Sequence, residues 1–141
     1  MTNNSTPTRG LTVRSSYNMY KGTGEFEVID IQNGQRVARR FFRNATTSDN
    51  MITLLGICKA CQFWIENNYT EKIYCTNEVA YVWARNKRFK TKVSSPGMIK
   101  LVKESLAILI MNDFSEVITL WKPDWGNMRD FLDNLDDGLP F

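Results

Sequence analysis

The sequence predicts an α/β domain built on a mixed β-sheet. Three observations carry the prediction. Three consecutive segments have strand character and are joined by tight-turn signals. Two further short strand-like segments follow, set among stretches of helical periodicity. The resulting order, β-β-β-α-β-α-α-β-α, places an antiparallel meander beside crossover units, which implies a mixed sheet with helices on its faces.

The elements are justified in turn. Leu11 to Tyr20 (LTVRSSYNMY) sets Leu11, Val13 and Ser15 on one face, and Lys21 to Gly24 supplies a Gly-rich turn. Glu25 to Ile31 alternates Phe26, Val28 and Asp30 against Glu27, Ile29 and Ile31. Asn33-Gly34 is a hairpin turn signal, and a third strand runs from Gln35 to Arg43. A helix follows, capped by Thr47 or Ser48, with Met51, Leu54, Leu55, Cys58, Cys61 and Ile65 in one stripe. Ile52, Ile57, Ala60 and Trp64 widen that stripe, so the helix is buried on more than one side. It ends near Asn67-Asn68. A short strand, Lys72 to Thr76, precedes a second helix, Glu78 to Asn86. Ser95-Pro96 starts a helix that runs to about Met111. A last strand, Glu116 to Trp121, and a short helix, Trp125 to Leu135, close the pattern.

The chain has 141 residues, a length suited to one domain, read here as 10–137 with a disordered tail at 1–9 and a short tail at 138–141. With 43% hydrophobic and 23% charged residues it has an ordinary globular composition, and its net charge of +3 admits nucleic acid without requiring it. The first ten residues lack the apolar region of a signal peptide, and no apolar run reaches the roughly 18 residues of a membrane span. Three Cys, an odd number, suit free thiols in a reducing, cytoplasmic setting. Cys58 and Cys61 are spaced as CxxC, but both fall inside an apolar helical pattern, so buried structural thiols are expected. With no His in the chain, a zinc site would need Cys75 and a carboxylate; no metal and no cofactor are expected.

Three segments resemble the ribonuclease H family. IYCTNEVAYVWARNKRFKTK, Ile73 to Lys92, looks like the family's strand ending in Tyr-x-Asp-Ser, its Ala-x-x-Trp helix and its basic stretch. TTSDNMITLLGICKA, Thr46 to Ala60, resembles the family's Thr-Asn-Asn-x-x-Glu-x-x-Ala helix start. LWKPDWGNMRDF, Leu120 to Phe131, resembles the closing Trp-Gly and Ala-Asp-Phe region of one bacterial branch. The resemblance spans nearly all of Leu11 to Leu135 and implies a ribonuclease H-like mixed five-stranded sheet with helices on both faces. It also implies hydrolysis of a phosphodiester by two divalent ions held by about four carboxylates.

The positions that this resemblance assigns to the ligands do not carry them. Arg14 stands at the first Asp, Ile52 at the Glu of the first helix and Thr76 at the Asp after the fourth strand. Asp130 is the remaining counterpart, with its spacing after Trp125-Gly126 one residue short. A cation, a hydrocarbon and a neutral hydroxyl are poor replacements for metal-binding carboxylates. The expectation is a pseudoenzyme without a catalytic set, with Asp49, Glu78 and Asp124 as nearby carboxylates for a divergent nuclease. Arg14 is expected to pair with Asp130 in place of a metal, or to hold a phosphate.

Five cations in eight residues, Arg85, Lys87, Arg88, Lys90 and Lys92, surround Phe89. Phosphate contacts and base stacking suit this composition, so nucleic acid, an RNA–DNA hybrid or a duplex, is the leading partner. The same charges also suit a solvated loop after a helix C-terminus. Arg36, Arg39, Arg40 and Arg43 alternate in facing along strand three and read as edge charge or as part of a groove. Trp83, Trp121 and Trp125 are expected in the core. The tail acids Asp130, Asp133, Asp136 and Asp137 read as a solvated helix end, with Leu139 and Phe141 packing back or meeting a partner. A structural or protein-interaction adaptor is the alternative function, and the oligomeric state is left open.

Overall fold

The computed structural model describes residues 6–137. In chain order the elements are β1 (Leu11–Asn18), β2 (Thr23–Asp30), β3 (Gln35–Phe42), α1 (Asp49–Glu66), β4 (Ile73–Cys75), α2 (Glu78–Asn86), α3 (Pro96–Ser105), α4 (Ala107–Met111), β5 (Ile118–Leu120), a 3-10 turn (Pro123–Trp125) and α5 (Met128–Asp137). One five-stranded sheet has the order β3-β2-β1-β4-β5. β1, β2 and β3 pair antiparallel, whereas β4 pairs parallel with both β1 and β5. This is the mixed five-stranded α/β arrangement that the sequence implies.

Local chemistry marks several of the element boundaries. Asn18 Oδ1 accepts the N–H groups of Tyr20 and Lys21, turning the chain between β1 and β2. Gly34 takes φ 70° in the β2–β3 turn, a conformation glycine adopts without strain. Ser48, Asn77 and Ser95 each cap a helix through a side-chain oxygen. Pro96 opens α3, where its missing N–H costs no helical bond.

The two faces of the sheet carry separate apolar clusters. Leu11, Val13, Phe26, Val28, Ile73 and Cys75 pack with the buried face of α1. Ile29, Ile31 and Trp121 pack with Met128 and Leu132 of α5. Helices therefore cover both faces. At Gly56 α1 approaches the sheet so closely that a Cβ would stand 2.6 Å from Val13 Cγ1. Cys58, Cys61 and Cys75 are free and buried, and burial pushes the thiols of Cys58 and Cys75 up to about 12. Burial raises the Cys61 thiol as well, so it disfavours the thiolate at all three. No helix among the described residues is long and apolar enough to cross a membrane.

Two expectations are corrected. The helix from Ser95 to Met111 breaks at Leu106, where Leu109 N–H bonds Leu106 O at 2.9 Å and Ser105 Oγ bonds Leu101 O at 2.8 Å. Back-bonding by a serine hydroxyl bends a helix at such a point. The alternation assumed along β3 is interrupted, because Ile29 pairs with Arg36 and Val28 with Ala38, leaving Val37 as a bulge. Ahead of β1, Pro7 is buried and Gly10 O accepts from Ile31 N–H at 2.9 Å. The segments 1–5 and 138–141, with Leu139 and Phe141, lie outside the described residues.

Candidate functional site

A cavity of about 510 Å³ opens where β1, the start of α1, the end of β4 and the start of α5 meet. A volume of that order is typical of sites for small ligands. Its floor includes Arg14 and Ser15 of β1. Asp49 and Thr53 enter from α1, Thr76 and Asn77 from the β4–α2 junction, and Lys122 and Arg129 from the segment after β5.

Hydrogen bonds tie these walls together. Ser15 Oγ donates to Asp49 Oδ1 at 2.9 Å, and Asn77 Nδ2 donates to Asn50 Oδ1 at 2.8 Å. Asn77 also caps α2 by accepting the Ala80 N–H. One side chain thus fixes α2 against the first turn of α1.

Arg14 is held at two points. Its Nε lies 3.1 Å from Glu27 Oε1 on the neighbouring strand, and its Nη1 lies 3.2 Å from Asp133 Oδ1 on α5. Arg36 reaches the other oxygen of Glu27 at 3.0 Å. Burial opposes the charge of Arg14, but hydrogen bonds and charges from Asp133 and Glu27 outweigh it, so the guanidinium holds its proton more tightly than usual. Burial likewise opposes ionisation of Glu27, and Arg36 and Arg14 override it, lowering its pKa.

The four positions assigned to metal ligands separate in space. Arg14 and Thr76 line the cavity. Ile52 does not: it is 0% exposed in the core beneath α1. Asp49 and Thr53, four residues apart and so on one helical stripe, face the cavity, while Ile52 belongs to the neighbouring stripe. Asp130 is exposed outside the lining, and the partner of Arg14 is Asp133 instead. Arg129 and Asp133 form the α5 stripe over β1, with Arg129 Nη2 3.4 Å from Ser15 O.

This donor set does not fit a pair of divalent ions. The lining carboxylates Asp49 and Glu78 share the cavity with Arg14, Lys122 and Arg129. Among the described residues no three or more Asp, Glu, Cys or His come together as a metal site. Hard divalent ions need clustered oxygen ligands whose negative charge offsets their own.

The basic segment lies at the other end of α2. Arg85 donates to Tyr81 Oη at 3.1 Å and to Ser115 O at 3.0 Å, so it is partly occupied in holding structure. Lys87 closes α2 in the left-handed conformation, φ 60°. Phe89 is half-buried, with its ring 6.3 Å from that of Trp83. Lys87, Arg88, Lys90 and Lys92 are exposed and take part in none of the ion pairs among the described residues. Beyond them the chain returns to the start of α1, where Ser95 N–H bonds Thr46 O at 2.8 Å and Ser94 Oγ lies 3.0 Å from Thr47 Oγ1. Both ends of the segment are therefore anchored.

The arginines of β3 and the adjoining Arg43 are mostly occupied. Arg36 and Arg39 pair with Glu27 and Glu25, and Arg40 and Arg43 lie over the rings of Phe42 and Phe41. Trp121, Trp125, Tyr74 and Phe131 form an aromatic cluster, with Trp121 and Trp125 centroids 5.0 Å apart. Sequence reasoning missed Lys122 and Arg129. Their signal was the same Leu120 to Phe131 segment, read for its carboxylate and not for its cations.

No family model matches the chain, and no curated protein matches it. Among solved structures, the chain is similar to the N-terminal RNase H domain of a Mycobacterium tuberculosis protein, solved as a fusion with maltose-binding protein. The likeness has 14% identity and a TM-score of 0.45, covering 92% of this chain and 97% of that one. It is too low to say anything of the site.

Proposed function

We propose that this protein is a ribonuclease H-like module that binds nucleic acid without hydrolysing it, taking an RNA–DNA hybrid or a duplex through the segment Arg85 to Lys92. The observation that carries this reading is the set of four exposed cations, Lys87, Arg88, Lys90 and Lys92, on a segment anchored at both ends. Pre-ordered cations contact phosphates without first ordering the loop. Phe89 is engaged with Trp83, so recognition rests on backbone charge and shape and not on base stacking. What supports inactivity is the composition of the cavity, where a doubly paired arginine stands at the position the resemblance assigns to a ligand and, among the described residues, no three carboxylates cluster.

A filter-binding titration of a hybrid across salt concentrations tests the reading. Affinity should fall steeply as salt rises; affinity that is absent or independent of salt contradicts it. The adaptor reading draws on a different observation. β3 is an edge strand beside a groove at which Met111 is 80% exposed. A concentration-dependent mass by light scattering, with no hybrid binding, would favour that reading.

A further inference from the structure

The cavity beside Arg14 carries cations that neither the fold nor the basic segment uses. Lys122 and Arg129 line it from two adjacent parts of the chain. Neither has a carboxylate partner among the ion pairs of the described residues. Lys122 Nζ lies 5.5 Å from the Trp125 ring centre, and Arg129 has one long bond, to Ser15 O. Arg14 lines the same cavity, held in place by its ion pairs with Glu27 and Asp133. The lining also holds two carboxylates, Asp49, which accepts from Ser15 Oγ, and Glu78. Neutral donors, Asn127 and Thr76, complete the lining.

We propose that this cavity is a metal-independent binding site for a nucleotide phosphate, held by Lys122 and Arg129. Two cations outside the ion pairs of the described residues, with amide and hydroxyl donors beside them, suit a tetrahedral oxyanion even with Asp49 and Glu78 in the same lining. The cavity volume suits one nucleotide and not a duplex. The phosphate is either a terminal phosphomonoester or an internal phosphate of a bound strand. The inference extends the nucleic-acid reading to a second contact but stands on different residues, so the two fail separately.

Calorimetric titration of the full chain with adenosine 5′-monophosphate in EDTA tests it. The nucleotide should bind without metal, and adenosine should bind at least about tenfold more weakly, the value of one charged hydrogen bond. The double variant Lys122→Gln/Arg129→Gln should lose at least about tenfold in affinity for the nucleotide, on the same reasoning. Both residues are exposed, so the variant should keep the wild-type melting temperature. Protection of Lys122 from reductive methylation by the nucleotide reads the same contact in the unmodified protein. A variant with Lys87, Arg88, Lys90 and Lys92 replaced by Gln should bind the nucleotide normally. No binding, equal binding of adenosine, dependence on Mg²⁺ or an unaffected double variant would each overturn the site. Nucleotide binding with no hybrid binding would keep the site and remove the nucleic-acid reading. A 5′-phosphorylated hybrid binding more tightly than its 5′-hydroxyl form identifies a terminal phosphate. Equal binding, lowered for both forms by the double variant, identifies an internal one.

Discussion

Arg14 and Asp133, 119 residues apart, meet at 3.2 Å and join the middle of β1 to the last helix. Together with Glu27 this contact makes Arg14 a structural clamp between β1, β2 and α5. Asp133 is largely solvent-exposed, so its share is small; the half-buried Glu27 contact carries more.

The clamp predicts a pH dependence. The pKa of Glu27 is lowered in the folded protein, so its contribution is present above the unfolded carboxylate range and is lost as pH falls through the folded value. Glu27→Gln should cost about 1–2 kcal/mol at neutral pH, in line with loss of a charged hydrogen bond. Urea unfolding should show that gap between variant and wild type closing in acid. A gap that persists unchanged below the usual carboxylate range would count against the clamp.

Phe89 is predicted to stabilise the fold and not to stack a base. Phe89→Ala removes a half-buried ring from Trp83 and should cost about 1–3 kcal/mol, below the range for a fully buried phenylalanine. Thermal unfolding reads this loss. Hybrid affinity, measured well below the melting transition, should stay within about threefold, because stacking would be worth more than that.

The four exposed cations of the basic segment predict a change in salt dependence. Replacing Lys87, Arg88, Lys90 and Lys92 by Gln should lower the slope of log affinity against log salt by up to about 3–4, at roughly 0.7–0.9 per phosphate contact. Arg85→Gln should change melting temperature as well as affinity, since Arg85 also bonds Tyr81 and Ser115. Titrations at three or more salt concentrations give the slopes.

The thiols are predicted to be inert in the native state. Cys58 and Cys75 are buried with values pushed up to about 12, and burial raises Cys61 further above its usual range. A disulfide-exchange reagent at mildly alkaline pH should label none of the three until denaturant is added. Rapid labelling of the folded protein would contradict the packing of α1.

Much of the fold was legible because the sequence keeps local signals in agreement. Ser48, Asn77 and Ser95-Pro96 mark three helix starts, and Asn33-Gly34 marks the hairpin. The break at Leu106 and the bulge at Val37 were not legible, because each depends on a local bonding choice that hydrophobic period does not encode. At the site, Arg14 and Thr76 were placed together by alignment alone. Ile52 and Asp130 were not, because one residue along a helix rotates a side chain by about 100° and moves it to another stripe. Asp49 and Asp133 occupy the stripes that face Arg14 and its cavity.

The central claim, binding without cleavage, is tested by following the fluorescence anisotropy of an end-labelled RNA–DNA hybrid with the protein in Mg²⁺ or Mn²⁺ at several salt concentrations. Anisotropy should rise on addition of protein, remain constant with time, and rise less as salt increases. No rise, a rise that salt does not weaken, or a rise followed by decay to the level of short fragments would contradict the account.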